Sequence, residues 1–500
     1  MESGRAPWTF GSGPVVARTF HRLLALIFLD AWLSLWSQEK VLIGERGLLP
    51  IARAVTSLRA AGTSWWDFPT LAWWWSSDRA LTITLGAGVV LALVALAGVR
   101  ARACLALTTA LYLSHVVACR TFCFFQWDNL LLECGILCIF LSPQRRAPWG
   151  HLALRLLLFK LYWESGIAKW QSPIHDWQDG SAMTFYYETA PLPTALAFYA
   201  HHLPLWWHHF ESWATLAFEL VVPLAIFGPR LARRFAFVVF TGFQIVNAAT
   251  ANYGFFCYLA TALHVFLLDD EDLTRAWTHL RNLLTIFRKP LDNQPSPSPQ
   301  PQPHRARTAM AIAAVSLYAV LSTIEALHGF APSVAEDIDF LDGARARWLP
   351  FRLVNNYHLF AAITRERIEP DVEAQSDGTW RSLAFRHKSG PLARRPDFVA
   401  PHQPRVDFQL WFYGLGYRRG APAYVTSLLD HVCHDPEAVQ PLFADALPPH
   451  ATAVRLKFWR YQFTSAQEKA ASGDWWKRNL LDETEPVECT KDFRSSDDDE

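Results

Sequence analysis

Long apolar segments separated by short polar stretches dominate the first two-thirds of the chain. A lone membrane-spanning helix needs about 20 predominantly apolar residues. Several segments are shorter than that, which helices inside a bundle tolerate. The pattern predicts about nine helices, at residues 20–36, 80–98, 103–119, 124–141, 151–168, 209–227, 235–250, 254–268 and 308–327.

The last third of the chain has a different pattern. Residues 372–375 and 380–386 flank a Ser-Asp-Gly turn, which predicts a β-hairpin. Residues 454–463 alternate like a strand with one polar face, and residues 422–434 have helical periodicity that begins at a proline. The sequence therefore predicts a multi-pass α-helical membrane bundle followed by a C-terminal α+β domain containing antiparallel strands.

Changes in composition along the chain indicate five regions. A Pro/Ser/Gln-rich stretch separates the apolar part from one further apolar segment, and the chain ends in an acidic run. The predicted regions are a transmembrane bundle (1–288), a linker (289–307), a last transmembrane helix (308–327), an extracytoplasmic domain (328–485) and an acidic disordered tail (486–500).

The overall composition agrees with a protein in two solvents. Charged residues make up 18% of the chain, against about 25% in average soluble proteins. The shortage lies between residues 20 and 270, and tryptophans cluster at the ends of apolar runs, as at 73–75 and 206–207. The formal net charge is zero, so nothing indicates nucleic-acid binding.

Arginine in the short loops predicts the orientation. Loops 100–102, 144–150 and 229–234 carry arginine, whereas loop 169–208 has Lys169 as its only Lys or Arg. The positive-inside rule then places the N-terminus in the cytoplasm and the C-terminal domain across the bilayer. Loop 37–79 departs from the rule, although long loops obey it weakly. The first apolar run has no small-residue cleavage site after it, so we expect a retained helix.

The apolar part contains a cluster of five polar residues: Asp128, Asn129, Glu133, Lys160 and Glu164. Ionisable groups in a span cost about 2.5–3.5 kcal/mol on insertion scales, so they need partners or water. Lys160 is four residues before Glu164, and Asp128 or Glu133 is able to pair with Lys160 or Arg155. The cluster is interpreted either as a structural ion pair or as a buried ionic site for a substrate or a proton.

Other candidate chemistry is weak. The six cysteines of the apolar part form no CxxC, and whether Cys433 and Cys489 pair in the polar domain stays open. Histidines at 201, 202, 208 and 209 lack further ligands at metal-binding spacing, so no metal site is predicted. No phosphate loop, nucleophile elbow or zincin motif occurs. We predict no catalytic residue and no cofactor.

Several long strings resemble the lipase maturation factor family, in the right order and over about residues 20–480. Two of them are FQWDNLLLECGILCIFLSP (125–143) and FVAPHQPRVDFQLWFYGLG (398–416); the others are at 155–170, 185–204 and 218–223. The resemblance implies a non-enzymatic, multi-pass protein of the endoplasmic reticulum membrane that assists the maturation of secreted lipases, with the C-terminal domain in the lumen. The Arg/Ala-rich composition favours a bacterial or divergent member, in which the domain would lie in the periplasm.

The residues that match the family strings fall into three groups. At Trp163-Glu164-Ser165, where the family usually has small apolar residues, the chain departs from the pattern. The matching positions are Trp127, Asp128, Asn129 and Glu133, then Tyr187, Glu188, Thr189, Pro191 and Pro193 in a loop that also holds His201, and finally Pro401, His402, Gln403, Pro404 and Arg405.

Two functional hypotheses remain open. A maturation factor would contact the bilayer and a secreted, lipase-like client, and the aromatic string 398–416 is either its exposed client-binding patch or a core strand. The alternative is a membrane enzyme or redox component, which requires a cavity where Asp128, Glu133, Lys160 and Glu164 converge. A transporter is the least favoured, since no half-repeat is seen. The oligomeric state stays open. The client-binding candidates are Phe398, His402, Gln403, Arg405 and Trp411.

Overall fold

The computed structural model describes residues 13–284 and 305–490. The N-terminal part of the described chain is helical, as the apolar periodicity predicts. In chain order its helices are α1 (Pro14–Trp36), α2 (Glu39–Ile43), α3 (Ile51–Ala60), α4 (Asp78–Leu96), α5 (Ala101–Cys119), α6 (Gln126–Leu137), α7 (Pro148–Trp170), α8 (Ala182–Thr189), α9 (Ala195–His201), α10 (Leu205–Leu220), α11 (Arg230–Thr250), α12 (Phe256–Leu263), α13 (Asp270–Leu284) and α14 (Arg305–Phe330).

Five helical stretches among the described residues are long and apolar enough to cross a membrane, which makes the protein a multi-pass membrane protein. They are Pro14–Trp36, Asp78–Leu96, Ala101–Cys123, Leu205–Phe227 and Thr308–Phe330. The other predicted segments are also helical, but they fall short in length or in hydrophobicity. Helix α6 has only 12 residues, and α7, at 23 residues, carries several charged side chains. The structure thus supports a multi-pass bundle without fixing the predicted number of about nine.

The two ends of the bundle contact different parts of the chain. At one end, the Asp270 side chain accepts the backbone N–H groups of Val15 and Val16 at 3.1 and 3.0 Å, so a carboxylate lies at the positive end of α1. Arg233 donates to Asp269 at 2.7 Å at the same end. The opposite end, where α1 and α11 finish, carries the C-terminal domain.

The C-terminal domain is built on one antiparallel sheet with strand order β2-β1-β3-β4, and β5 pairs with β3. The predicted hairpin, the strand at 454–463 and the helix after Pro422 are all confirmed. The strands are β1 (Arg367–Ser376), β2 (Thr379–Leu383), β3 (Ala453–Phe463), β4 (Trp476–Glu483) and β5 (Val487–Glu488), and the helices are α15 (Pro332–Ala335), α16 (Asp342–Trp348), α17 (Arg405–Leu415), α18 (Ala423–His434), α19 (Pro436–Val439) and α20 (Ala466–Ser472).

Helix α17 lies against the sheet at very short range. A Cβ atom added at Gly414 would come within 2.2 Å of the backbone oxygen of Ile368 in β1. Glycine is therefore required for this contact between helix and strand.

The predicted linker falls mostly on residues 285–304, and most of the predicted acidic tail on residues 491–500; both stretches lie outside the described residues.

Candidate functional site

Arg405, at the start of α17, reaches from the C-terminal domain into the bundle. Its guanidinium donates to both oxygens of Asp128 at 2.8 and 2.9 Å and to the backbone oxygen of Phe122 at 2.9 Å. The Tyr112 hydroxyl donates to the same carboxylate at 2.6 Å. Arg405 and Asp128 are both fully buried. A buried charge is tolerable only when it is paired and hydrogen-bonded in this way.

Glu133 forms a second buried centre that also connects the two parts of the chain. Its carboxylate pairs with Lys160 of the neighbouring helix. It also accepts the hydroxyl groups of Tyr318 and Tyr357, each at 2.7 Å, and the side-chain amide of Asn355 at 3.1 Å. The carboxylate thereby ties α14 and the segment after it to α6 and α7.

The remaining members of the predicted polar cluster also have hydrogen-bond partners from the C-terminal part of the chain. Glu164 accepts the backbone N–H of Tyr357 at 2.9 Å, and Asn129 accepts a hydrogen bond from Arg352 at 3.1 Å. The considered pairing of Glu133 with Lys160 is found. The considered pairings of Asp128 with Lys160 or Arg155 are not, because a C-terminal arginine occupies that carboxylate.

The four charged residues do not all line the groove between α7 and α14. Lys160 and Glu164 line a mostly apolar groove of about 510 Å³ between α7 and α14, whereas Asp128 and Glu133 do not line it. The enzyme hypothesis requires all four around a common space. The groove beside α7 does not meet that requirement, and the contacts of Asp128 and Glu133 are those of an interface that holds two domains together.

The predicted family-motif loop is partly helical, since Tyr187, Glu188 and Thr189 end α8 and His201 ends α9. Its backbone supplies acceptors to the C-terminal domain. Arg367 of β1 donates to the backbone oxygens of Pro191 at 3.0 Å and of Glu188 at 3.2 Å. Trp411 of α17 donates to the backbone oxygen of Thr189 at 2.8 Å. In return, the Glu188 carboxylate accepts the backbone N–H of Phe463 in β3 at 2.7 Å.

The other residues of this loop support its shape. The Tyr187 hydroxyl donates to Glu211 at 2.8 Å, and His201 Nε2 lies 3.6 Å from the Glu188 carboxylate. Pro193 forms an isolated antiparallel bridge with Ala251 at the end of α11. The loop thus forms a platform between the bundle and the sheet.

The Pro-His-Gln-Pro-Arg stretch contacts the end of α1. The Gln403 backbone N–H donates to Ser34 Oγ at 2.9 Å, and the Arg405 backbone N–H donates to Gln38 Oε1 at 2.9 Å. His402 Nδ1 lies 3.0 Å from the same Ser34 hydroxyl. These contacts hold the Pro-His-Gln-Pro-Arg stretch against the bundle.

A turn after α11 completes the interface. Asn252 Oδ1 accepts the backbone N–H groups of Val399 and Ala400 at 2.7 and 2.9 Å. Gly254 follows with φ = +51°, and a Cβ atom there would lie 2.4 Å from Gln403 Oε1. Only glycine fits this position without a shift of the neighbouring chain.

The aromatic string at 398–416 differs from both predictions made for it. It is neither a core strand nor a continuous exposed patch, because residues 405–415 form α17 between the bundle and the sheet. Gln403 and Arg405 are buried, and His402 and Trp411 are partly buried. Phe398 alone among the five client-binding candidates is exposed. Aromatic residues are dense here because the helix is covered on two sides.

Sequence reasoning missed several residues that the interface depends on. Arg367, Asn252 and Gln38 carry key hydrogen bonds, yet each stands in an ordinary local pattern.

Within the C-terminal domain, Lys388 Nζ pairs with Glu369 at 2.6 Å, and burial lowers the pKa of Lys388. Among the described residues, no group of three or more His, Cys, Asp or Glu side chains is arranged to hold a metal ion.

Both halves of this interface match family models. Residues 15–275 match the model described as lipase maturation factor transmembrane domain, and residues 353–486 match the lipase maturation factor C-terminal domain. The chain belongs to the lipase maturation factor family. The two matched regions are the two bodies that the Asp128–Arg405 pair connects.

Individual members of the lipase maturation factor family match over nearly the whole chain. Lipase maturation factor 2 of Rattus norvegicus is 30% identical, over 95% of this chain and 83% of that protein. Lipase maturation factor 2 of Gallus gallus is 28% identical (93% and 80%), and lipase maturation factor 1 of Homo sapiens is 28% identical (92% and 85%). No solved structure matches the chain.

Proposed function

We propose that this chain is a membrane-bound maturation factor that assists the folding and assembly of secreted proteins such as lipases. The observation that carries the proposal is the extent of the match: relatives named lipase maturation factors align with more than 90% of the chain, through both domains. The buried charges are used in holding these domains together, so the proposed action is binding rather than catalysis.

The proposed location is the endoplasmic reticulum membrane, or the cytoplasmic membrane in a bacterium. In this proposal the N-terminus is cytoplasmic and the C-terminal domain lies in the lumen or periplasm. Arginines 230, 233 and 234 lie at the end of the bundle away from that domain, as the positive-inside rule expects. The disulfide between Cys433 and Cys489 supports an oxidising compartment for the C-terminal domain.

The proposed client surface is a groove where α9, α11 and residues 395–398 meet. The groove has a volume of about 580 Å³. Phe398, Leu196 and Ile245 line it and are 62%, 55% and 63% exposed. Large apolar side chains at this exposure mark a surface that binds another protein or a membrane. We therefore retain Phe398 as the client-binding candidate and assign His402, Gln403, Arg405 and Trp411 to the interface between domains.

The test uses full-length protein in cells that lack the endogenous gene, with a secreted lipase as reporter. Phe398→Ala is expected to reduce both co-purification of the newly made lipase and its secreted activity several-fold. Phe340→Ala is the matched control, because Phe340 is 80% exposed and does not line the groove.

Two comparisons interpret the result. If the gene deletion leaves the amounts of all secreted proteins unchanged, the maturation function is wrong. If the deletion lowers secreted lipase but Phe398→Ala behaves like Phe340→Ala, the function stands and the assignment of the groove is wrong.

A further inference from the structure

A second cavity lies inside the bundle, away from the charges that join the two domains. It has a volume of about 340 Å³ and is enclosed by side chains of α7, α8, α10 and α11 and of residues 359–360. One buried water needs only about 10–15 Å³ of such space. The cavity is therefore of the size that small-molecule sites occupy.

The walls are apolar, and one side opens toward the surroundings of the bundle. Phe218, Phe243 and Trp177 contribute aromatic surface to the lining. Val238 and Phe210, which also line the cavity, are exposed on the outer face of α11 and α10. In a membrane bundle this face contacts hydrocarbon, so a molecule dissolved in the bilayer has direct access.

The charged groups of the lining already have partners. Lys169 pairs with Glu219 at 2.7 Å, and Glu211 accepts the Tyr187 hydroxyl at 2.8 Å. These contacts leave no unpaired positive charge among the described residues that line the cavity. A phosphate or another charged head group would have no counter-charge here, and its burial would be costly.

Two side-chain oxygens of the lining have no hydrogen-bond partner among the described residues: Glu219 Oε2, which lies in the ion pair with Lys169, and Gln244 Oε1, which has no ion-pair partner either. Gln244 is only 2% exposed, and its Nε2 donates to the Tyr162 hydroxyl at 3.0 Å. Its Oε1 has no hydrogen-bond partner among the described residues. A buried carbonyl oxygen without a donor is unfavourable, so the site is built to accept one hydrogen bond from a molecule in the cavity.

We propose that this cavity binds an uncharged membrane lipid carrying a hydroxyl group, of the class of acylglycerols or sterols. The hydroxyl donates to Gln244 Oε1, and the hydrocarbon packs against Phe218 and Phe243. The inference does not depend on the proposed maturation function, because it rests on the cavity and on Gln244.

The experiment uses full-length protein in nanodiscs that contain photoreactive lipid analogues. A photoreactive diacylglycerol and a photoreactive sterol are each expected to label peptides of α10 and α11, and their relative yields show which source fits. A photoreactive phosphatidylcholine, whose head group is zwitterionic, is the comparison and is expected to label these peptides at least roughly tenfold less. Equal labelling by phosphatidylcholine would identify a non-specific lipid contact and overturn the proposal.

Two variants test the site itself. Gly242 lines the cavity, and a Cβ atom there meets nothing within 4 Å, so Gly242→Phe fills the space without a clash at the backbone. Gln244→Leu removes the acceptor, which is expected to lower labelling roughly fivefold. Gly343→Phe is the matched control, because Gly343 also has an open Cβ position and lies in α16, outside the cavity.

Folding of each variant is checked by gel filtration and thermal unfolding. Gly242→Phe is expected to abolish labelling, and Gly343→Phe to preserve it. Should Gly242→Phe fail to fold, the decision rests on Gln244→Leu, which changes side-chain shape little. Unchanged labelling in a folded Gly242→Phe or Gln244→Leu protein would refute the assignment.

Discussion

Arg405 and Asp128 form a bidentate ion pair that joins the C-terminal domain to the membrane bundle. The two N–H···O distances are 2.8 and 2.9 Å, and neither residue has appreciable contact with solvent. A planar guanidinium that donates twice to one carboxylate fixes orientation as well as distance. The pair therefore selects one position of the domain on the bundle, and the hydrogen bonds from Tyr112 and to Phe122 complete it.

Replacing one partner of this pair is expected to destabilise the protein strongly. Asp128→Asn or Arg405→Met leaves a buried charge without its counter-charge, which costs about 3–5 kcal/mol. The free energy of unfolding, measured by denaturant titration in detergent, is expected to fall by that amount. The C-terminal domain is also expected to become sensitive to protease.

The double variant Asp128→Leu/Arg405→Met separates charge from packing. It is expected to recover part of the loss, because both charges leave together. Arg46→Ala is the control: Arg46 pairs with Asp435 on the surface and is 64% exposed, so its loss is expected to leave the free energy of unfolding nearly unchanged. Equal effects of Arg46→Ala and Arg405→Met would contradict the role given to the buried pair.

The sequence reveals the contacts between neighbouring helices better than those between domains. Glu133 and Lys160 lie on adjacent predicted helices, so their pairing was among the options open from the sequence, and it occurs. The partner of Asp128 lies 277 residues away in the chain. No local periodicity encodes a contact at that separation. A polar group in an apolar run shows that a partner exists, but not where it is.

The aromatic string at 398–416 shows a different difficulty, because its local pattern predicts the wrong structure. Alternation of Phe, Trp and Tyr around Trp411 suits a strand or an exposed patch, yet the segment is a helix. Helix α17 is covered by the bundle on one side and by β1 on the other, so its aromatic residues do not form a single stripe. The hydrophobic pattern along the sequence does not predict the type of an element when two different surfaces bury it. The strands β1 and β3 alternate between buried and partly exposed residues over much of their length, and the sequence predicts both.

Gly254 is expected to tolerate no side chain. Gly254→Ala adds the cost of a positive φ, about 1–2 kcal/mol, to a clash with Gln403 Oε1 at 2.4 Å. The melting temperature and the protease resistance of the C-terminal domain are both expected to fall. Gly473→Ala is a matched control, since Gly473 has φ = +80° and open space around a Cβ atom. If the melting temperatures of both variants fall by the same amount, the close approach to Gln403 adds no cost of its own.

The disulfide between Cys433 and Cys489 is expected to form in the native membrane. Thiol counting on unfolded protein with a maleimide reagent should give six reactive cysteines before reduction and eight after it. The bond closes a loop with a sequence separation of 56 residues, which on the chain-entropy model stabilises by about 4 kcal/mol. Cys433→Ser should therefore lower the free energy of unfolding, and should leave six reactive thiols from the bundle and one from Cys489. Eight thiols before reduction would place this domain in a reducing compartment.

His402 is expected to make the interface sensitive to acid. Burial, followed by the nearby charges of His387 and Arg405, lowers the pKa of His402 to about 4, from an ordinary value of 6.5. The unfolded chain therefore binds a proton between pH 6.5 and 4 that the folded protein does not. Stability is complete above pH 6.5 and falls as the pH decreases through this window, by about 1–2 kcal/mol between pH 7.5 and 5. The titrating ring lies at the interface, with Nδ1 3.0 Å from Ser34 Oγ.

The measurement compares melting temperatures of the full chain at pH 7.5 and pH 5. His402→Asn keeps a polar group beside Ser34 but cannot titrate, so it is expected to reduce the difference between the two temperatures. His450→Asn changes an exposed histidine of the same domain and is expected to leave the difference unchanged. Because Arg405 contributes to the lowered pKa of His402, acid should weaken the same interface that the Arg405–Asp128 pair holds together. A His402→Asn protein with the full acid sensitivity of the original chain would show that another group titrates there.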